Sequence, residues 1–241
     1  PTGCNGFCAA GPIIVVQPEG IFYQKVKEED VKEIVEEHLI KGMPVERLMH
    51  KDPVSGAVNK TMNDIKFFTK QQLIALRNKG LIDPENIEHY IARGGYQSIR
   101  KVLKGNDPEQ VIKEIISSGI RGRGGGGFPA GVKWQSCRKA SLQRKEPPFV
   151  VCNGDEGDPG AFMDRSIIET DPHAVIEGMM IGAFSVGASE GFVYIRKEYP
   201  LAMMRLQKAI EQARKYGFLG NSDGKFKFDI HIHRGAGAFV C

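Results

Sequence analysis

The chain has 241 residues, which is enough to bury one hydrophobic core and a smaller appended unit. Its net charge is +4 and 26% of its residues are charged, with basic and acidic residues interleaved, so a nucleic-acid-binding surface is not indicated. No apolar run reaches the roughly eighteen residues of a membrane span. No signal peptide opens the sequence, so we expect a cytoplasmic protein.

A C-x3-C pair, Cys4 and Cys8, stands among small residues at the start of the chain. Zinc ribbons and thioredoxin-type redox pairs use C-x2-C, so this spacing indicates neither of them. Two buried free cysteines are one interpretation of the pair, because an unpaired cysteine behaves as a small apolar residue. The same interpretation is the simplest one for Cys137 and Cys152.

Residues 13–40 predict a hairpin followed by a helix. Two apolar runs, 13–16 and 21–26, flank a four-residue turn and favour a β-hairpin. The segment 29–40 has apolar residues at helical spacing, which predicts an amphipathic helix. The apolar side chains that share one face of this predicted helix are Val31, Ile34, Val35 and Leu39.

From residue 45 to residue 105 the sequence is less apolar and rich in turns. KDPVSGAVNK, residues 51–60, predicts a loop. LIDPENIEHYIARGGY, residues 81–96, predicts a helix that begins after Asp83-Pro84 and ends at Gly94-Gly95. We expect this region to be a connector with two or three short helices.

A glycine-rich stretch follows, SGIRGRGGGGFPAGVKW, residues 118–134. Five of the six residues from Gly122 to Gly127 are glycine, so this run forms no helix or strand of its own. It offers bare backbone that can approach a ligand closely and direct several N–H groups at one anion. Gly122, Gly124 and Gly127 satisfy G-x-G-x-x-G, but a predicted helix (108–117) precedes them where a dinucleotide fingerprint needs a strand.

Charged and aromatic side chains distinguish this stretch from a linker. Arg121, Arg123 and Lys133 surround the glycines with positive charge, while Phe128 and Trp134 supply flat apolar surface. A flexible linker is the alternative interpretation, but linkers seldom carry such residues together. A phosphate and a planar ring are the ligands that this composition suits.

A second candidate segment is FVVCNGDEGDPG, residues 149–160. Residues 149–152 predict a short buried parallel strand. The acidic turn that follows would lie at the carboxyl end of this strand, where open α/β sheets bind ligands. A solvated turn with a helix-capping aspartate is the alternative interpretation. The polar residues of this turn are Asn153, Asp155, Glu156 and Asp158.

Beyond residue 160 helices and strands alternate, as they do in α/β proteins. We predict a buried helix over 173–187, a strand over 191–196, a long helix over 199–216 and a strand over 226–233. His231 and His233 would share one face of the last strand. Two histidines at this spacing can ligate a metal, but no third ligand is apparent nearby, and packing or polar pocket lining is the alternative.

Four motifs, in this order, resemble one family: GRGGGGFPAGVKW, NGDEGDPGAFMDR, YIRKEYP and HRGAGAFVC. They are similar to the flavin-bearing, NADH-oxidising subunit of respiratory NADH:quinone oxidoreductase and its relatives. The turn GDEGDPG and the connector favour the branch with diaphorase subunits of NAD(P)-dependent, electron-bifurcating hydrogenases and formate dehydrogenases. The resemblance covers nearly all of the chain.

The resemblance implies an α/β fold, with a Rossmann-like, FMN-binding domain and a parallel sheet over 107–241. It implies that residues 1–50 are the C-terminal half of a thioredoxin-like ferredoxin domain and that 51–106 form a helical connector. The implied activity is that of a diaphorase, in which electrons pass between NAD(H) or NADP(H) and FMN and then to iron–sulfur clusters. The flavin carries this chemistry, so no residue is assigned as a general acid or base.

The resemblance also assigns the candidate site residues. Cys4 and Cys8 match the last pair of the four cysteines that hold a [2Fe–2S] cluster, so half of its ligands are present; thiolates suit such clusters. Lys133 and the glycine-rich loop would hold the FMN phosphate, and Phe128 would pack against the nicotinamide nucleotide. The cofactor-binding candidates are Gly122, Arg123, Gly124, Gly125, Gly127, Phe128, Lys133, Asn153, Asp155, Glu156, Gly157 and Phe239.

By this resemblance the chain looks like a piece, cut at both ends. A [4Fe–4S] cluster is expected in the missing C-terminal part. The expected partners are a thioredoxin-like [2Fe–2S] subunit and a hydrogenase or formate dehydrogenase catalytic subunit, with ferredoxin as a possible further one. A non-catalytic scaffold within such a complex is the alternative function, and bound yellow chromophore would distinguish the two.

Overall fold

The computed structural model describes residues 2–3, 6–220 and 226–236. Contacts divide the chain into two compact units, Asn5–Arg77 and Asn78–Cys241 with Pro1–Cys4. Each unit has its own cluster of buried apolar side chains. No helix in the described ranges is long and apolar enough to cross a membrane.

The predicted hairpin is present in the first unit. Strand β1 (Ile14–Val16) pairs antiparallel with β2 (Ile21–Tyr23), and Val16 lies opposite Ile21 across the four-residue turn. All three residues of β2 are buried. The prediction of a hairpin here is therefore confirmed, with shorter strands.

The predicted helix over 29–40 is also present, but it buries a different face. Helix α1 (Asp30–Glu33) continues as a π-helical segment, Ile34–Ile40. Its buried residues are Asp30, Ile34 and His38, which recur every four positions. The two polar ones are satisfied, since Asp30 binds the Lys27 N–H and Arg47, while His38 Nδ1 lies 2.8 Å from the Tyr23 hydroxyl. Of the four residues of the predicted apolar face, only Ile34 is buried. Val31, Val35 and Leu39 are exposed in the described unit.

The segment 51–60, predicted to be a loop, is a small hairpin instead. Strand β3 (His50–Lys51) pairs antiparallel with β4 (Val58–Asn59). The Asp52 carboxylate accepts hydrogen bonds from the N–H groups of Val54 and Ser55, which stabilises the turn. A short helix, α2 (Lys66–Thr69), follows near the end of this unit.

The second unit contains a three-stranded parallel sheet in the order β5-β6-β7. Its strands are β5 (Phe149–Gly154), β6 (Glu190–Arg196) and β7 (Asp229–Gly235), with Phe149 opposite Glu190 and Glu190 opposite Asp229. The α/β fold class is confirmed. The first and second strands lie where the sequence predicts them, whereas the last begins at Asp229 rather than at residue 226.

One face of this sheet is covered by two long helices, α8 (Pro172–Val186) and α9 (Pro200–Lys215). Val193 and Ile195 of β6 are fully buried. Phe149 and Val151 of β5 are 60% and 65% exposed, so the prediction of a buried strand was wrong for these side chains. Alternate residues of β5 point away from the helices and are mostly exposed, although the centre of the Phe149 ring lies 5.7 Å from that of Phe192.

Five further helices belong to the described part of this unit. They are α3 (Ile87–Ala92), α4 (Gln97–Gly105), α5 (Pro108–Ser117), α6 (Ala130–Arg144) and α7 (Met163–Thr170). Helix α5 has the predicted bounds because the Asp107 side chain caps the Gln110 N–H and Pro108 takes the first position. Helices α4, α5, α6 and α7 all pack against α8.

Buried polar groups on α8 fix its neighbours. The Glu177 carboxylate accepts hydrogen bonds from the Tyr90 hydroxyl at 2.5 Å and from the N–H groups of Tyr96 and Ile99 at 2.9 and 3.0 Å. His173 Nδ1 lies 2.8 Å from the Tyr96 hydroxyl. These contacts attach the beginning of α4 to α8, since an unpaired carboxylate would be costly at this depth.

Helices α5 and α6 approach each other closely at Gly131, which is buried. A Cβ at this position would lie 2.6 Å from the backbone nitrogen of Ile116. We expect Gly131→Ala to lower the free energy of unfolding by about 2 kcal/mol, as overpacking does. The matched control is Gly178→Ala on α8, where a Cβ meets nothing within 4 Å and helix propensity should add about 0.5–1 kcal/mol. Urea titrations of both variants measure the difference, and equal effects would contradict the packing argument.

Burial lowers the pKa of His173 to about 4, against a hydrogen bond to Gln212 that raises it. Because the unfolded chain binds this proton at higher pH, the native state loses stability as the pH falls from about 6.5 towards 4, by about 3 kcal/mol. Unfolding free energies across this range should therefore fall more steeply in the wild type than in His173→Gln. Parallel curves for the two proteins would show that His173 is not the group responsible.

Candidate functional site

The glycine-rich loop is closed at its base by backbone hydrogen bonds. The Gly122 N–H donates to the Phe128 carbonyl at 2.9 Å, and the Ala130 N–H donates to the Ile120 carbonyl at 3.0 Å. Helix α6 starts directly after the loop, at Ala130. The loop thus stands out from a narrow base and leads into a helix N-terminus, an arrangement that favours anions.

The backbone at the tip of the loop is open. A Cβ added at Gly124, Gly125 or Gly126 would meet nothing within 4 Å. Gly125 has a φ of +92° and Gly127 one of +58°, which side chains other than glycine rarely adopt. Among the described residues, none accepts a hydrogen bond from the N–H groups of Gly124, Gly125 or Gly126. The tip can therefore act as a cradle for a phosphate.

The predicted cations lie within the glycine-rich loop or next to its base. Lys133 stands on the first turn of α6 with its Nζ 6.0 Å from the centre of the Phe128 ring, which is 52% exposed. The Arg121 Nη1 lies 3.4 Å from the Gly127 carbonyl, and Arg123 is exposed within the loop. Positive charge and an exposed aromatic ring thus lie next to each other at this loop, as the sequence predicts for a ligand with a phosphate and a planar ring.

The acidic turn lies at the carboxyl end of β5, as the sequence predicts. Asn153 Oδ1 accepts a hydrogen bond from the Asp155 N–H at 2.9 Å. The Glu156 carboxylate accepts from the N–H groups of Asp164 and Arg165 at 3.0 and 3.1 Å, so it caps helix α7. Helix capping, which the sequence offered for an aspartate, is thus a role of Glu156. Gly157 follows it in the same turn.

The acidic turn has further contacts that the sequence did not predict. Asp155 pairs with Arg196 at 3.3 Å, and the Tyr199 hydroxyl donates to the Glu156 carbonyl at 2.6 Å. Both partners belong to the motif YIRKEYP, and the similarity of this motif to the family was the only sequence feature that could have indicated their role.

Two groups near the acidic turn have raised pKa values. Burial and the neighbouring Glu156 raise the pKa of the Asp164 carboxyl. Burial and the charge of Asp164 raise the pKa of the Cys152 thiol to about 11. Cys152 is thus an unreactive packing residue.

The two parts of the site are attached to the same helix. Helix α6 and strand β5 both pack against α8, and a Cβ at Gly182 of α8 would lie 3.3 Å from Trp134 Cζ2. Within the described ranges, no hydrogen bond or ion pair joins the glycine-rich loop to the acidic turn. The candidate residues therefore form two separate groups, the glycine-rich loop and the acidic turn, and the elements that carry them both pack on α8.

Other candidate residues stand apart from these groups. Cys4 and Phe239 lie outside the described residues, and Cys8 is exposed in a single helical turn, Cys8–Ala10. His231 and His233 share the exposed face of β7 as predicted, against Phe192 and Tyr194. No group of three or more histidine, cysteine or acidic residues suited to a metal ion occurs in the part of the chain that is described.

A separate cavity of about 660 Å³ lies among helix α4, helix α8 and the residues after α9. Apolar side chains such as Leu103, Met180 and Phe184 line most of it. None of the predicted site residues is among those that line it. The cavity is therefore distinct from the glycine-rich loop and the acidic turn.

Comparison with known proteins gives concordant matches. A family model described as the Nuo51 FMN-binding domain matches residues 115–241. The NADP-reducing hydrogenase subunit HndC of Solidesulfovibrio fructosivorans is 52% identical over 174 residues, 71% of this chain and 34% of that protein. A subunit of the NADH-quinone oxidoreductase of Rhizobium meliloti is 44% identical over 170 residues, 70% of this chain and 40% of that one.

A solved structure matches the whole chain. The crystal structure of an NAD+-reducing nickel–iron hydrogenase in the H2-reduced state aligns with a TM-score of 0.53 and 25% identity, covering 100% of this chain and 36% of that one. The chain thus spans 34–40% of the length of these relatives. The region matched by the family model includes the glycine-rich loop and the acidic turn.

Replacing Glu156 tests its capping role. We expect Glu156→Ala to lower the free energy of unfolding by about 1 kcal/mol, because the first N–H groups of α7 lose their acceptor. Asp158→Ala is the matched control, since it removes the same charge from an exposed side chain of the same turn. Chemical denaturation of both variants provides the measurement. A loss no greater than that of the control would show that the cap contributes nothing.

Proposed function

The chain belongs to the Nuo51 FMN-binding domain family, and we propose that it is a flavin-dependent NAD(P)H dehydrogenase module. In this proposal electrons pass between NAD(H) or NADP(H) and FMN, and then to iron–sulfur clusters of a hydrogenase or formate dehydrogenase complex. The observation that carries it is the open glycine backbone of residues 124–126, in the loop that leads into α6. Such a backbone suits the phosphate of FMN.

The residues present suit FMN in charge and in hydrogen-bonding capacity. The loop from Gly122 to Gly127 would bind the phosphate through backbone N–H groups, with Arg123 and Lys133 neutralising its charge. Asn153 and Asp155 would face the ring and the ribityl hydroxyls from the end of β5. Phe128, half-exposed beside Lys133, would stack on the nicotinamide nucleotide. When bound, FMN supplies the hydride and single-electron chemistry.

Other parts of the proposal concern the whole protein, since this chain spans about a third of the relatives' length. We propose a thioredoxin-like ferredoxin segment over 1–50, a connector over 51–106 and the flavin domain over 107–241. Cys4 and Cys8 would supply two ligands of a [2Fe–2S] cluster. A hydrogenase or formate dehydrogenase subunit, in the cytoplasm, would be the partner.

Lys133 provides a test of the phosphate site. We expect Lys133→Ala to weaken FMN binding about tenfold, because a charge-assisted hydrogen bond contributes roughly 1.5–3 kcal/mol. Lys139→Ala is the matched control, since Lys139 is an exposed lysine further along the same helix. Quenching of flavin fluorescence on titration measures both constants. An unchanged constant in Lys133→Ala would exclude Lys133 from the phosphate site.

Anaerobic addition of NADH to the FMN-loaded protein tests the dehydrogenase reaction. Bleaching of the flavin absorption is the expected result, because hydride transfer reduces the ring. Flavin that stays oxidised with NADH and with NADPH would mean that this chain binds FMN without forming a complete nucleotide site. A protein that takes up no FMN would contradict the proposal and leave the scaffold function.

A further inference from the structure

The segment between β6 and α9 reaches the acidic turn at two points. Arg196, the last residue of β6, places Nη1 3.3 Å from Asp155 Oδ1. The Tyr199 hydroxyl donates a hydrogen bond of 2.6 Å to the backbone carbonyl of Glu156. One contact thus involves a carboxylate of the turn and the other involves its backbone.

Both residues are themselves held in place. Arg196 Nη2 lies 3.2 Å from Glu198 Oε1, and the Arg196 side chain is only 16% exposed. The Tyr199 N–H donates to the Arg196 carbonyl at 3.1 Å, so the two residues share one turn. The Lys197 N–H donates to the Gly235 carbonyl at 3.0 Å, which attaches this turn to β7. Their positions are therefore set by the sheet.

Glu156, Arg165 and Tyr199 contact one another in a ring of three interactions. The Arg165 guanidinium lies 5.6 Å from the centre of the Tyr199 ring. The backbone N–H of Arg165 donates to the Glu156 carboxylate. The backbone carbonyl of Glu156 accepts a hydrogen bond from the Tyr199 hydroxyl. Both the side chain and the backbone of Glu156 are thus fixed, one by α7 and the other by the start of α9.

The charge of Arg196 has a consequence for any flavin at this turn. Asp155 carries a negative charge at the end of β5, and Arg196 is the cation paired with it. Reduction of a flavin adds electrons and favours an anionic ring, which a nearby positive charge stabilises and an uncompensated carboxylate destabilises. Removal of Arg196 should therefore disfavour the reduced flavin more than the oxidised one.

We infer that Arg196 and Tyr199 are positioning residues of the flavin site. Tyr199 holds the backbone of the acidic turn against the flavin, and Arg196 offsets the Asp155 charge and so raises the flavin reduction potential. This inference rests on the proposed function, because it requires FMN at the end of β5. Neither residue touches the reacting atoms in this account.

The test uses the full chain loaded with FMN and two pairs of matched variants. Arg196→Gln is compared with Arg214→Gln. Arg214, on α9, also forms an ion pair with an aspartate, since its Nε lies 2.9 Å from Oδ1 of Asp229 on β7. Tyr199→Phe is compared with Tyr216→Phe, whose hydroxyl donates to Glu88 at 2.8 Å. Affinity for oxidised FMN, the two-electron midpoint potential and thermal stability are measured for each.

In Arg196→Gln we expect the ratio of reduced to oxidised flavin affinity to fall about tenfold, which lowers the potential by about 30 mV for two electrons. Arg196→Lys, which keeps the charge, should recover most of this shift. Tyr199→Phe should weaken FMN binding about fivefold, as the loss of a hydrogen bond does. The two control variants should stay within about twofold of the wild type, because their contacts lie away from the acidic turn.

Three outcomes would overturn the inference. Variants that match their controls while the wild type binds FMN would reject it and leave the proposed function standing. Loss of stability with an unchanged potential would reduce Arg196 to a structural role. If the wild type binds no FMN, the proposed function fails and this inference fails with it.

Discussion

Both parts of the candidate site depend on the packing of one buried helix, α8. Helix α6, which begins where the glycine-rich loop ends, packs on α8 through Trp134 and the bare backbone of Gly182. Strand β5, which carries the acidic turn, packs on the same helix. Because Glu177 uses its buried carboxylate to hold the start of α4, α8 is fixed from another side as well.

The two parts of the site are prepared for a ligand in opposite ways. In the acidic turn most polar groups already have partners: Asp155 has Arg196, and Glu156 has the N–H groups of α7. The tip of the glycine-rich loop has open space and N–H groups without acceptors among the described residues. A rigid turn and an unsatisfied loop fit the family's cofactor, whose ring needs a defined position and whose phosphate needs donors.

Periodicity predicted the elements whose apolar pattern is strong, namely α5, α8, β6 and α9, with bounds within about one residue. It missed α6, because the apolar residues of AGVKWQSCRKASLQR form no continuous stripe and the helix packs through a glycine instead. It missed the hairpin of β3 and β4 because each strand has two residues. It placed the acidic turn correctly but could not show that one face of β5 is exposed.

The candidate site was predictable as two segments and not as a set of contacts. Residue types alone indicated a bare glycine loop suited to an anion and an acidic turn at a strand end. The structure has an open glycine-rich loop and an acidic turn at the end of β5, and anion binding by the loop stays a prediction. The partners of that turn lie about forty residues further along the chain, at Arg196 and Tyr199, and no local pattern connects them to it. Contacts of this kind depend on the tertiary fold, which places neighbouring strand ends side by side.

The relative affinity of the protein for FMN and for riboflavin tests the central claim most directly. The two molecules share the same ring and ribityl chain, and only FMN carries a phosphate. Because the glycine-rich loop is assigned to that phosphate, FMN should bind at one site and at least about tenfold more tightly than riboflavin. Equal affinities for the two, or no binding of either, would contradict the assignment of the loop as a flavin-phosphate cradle.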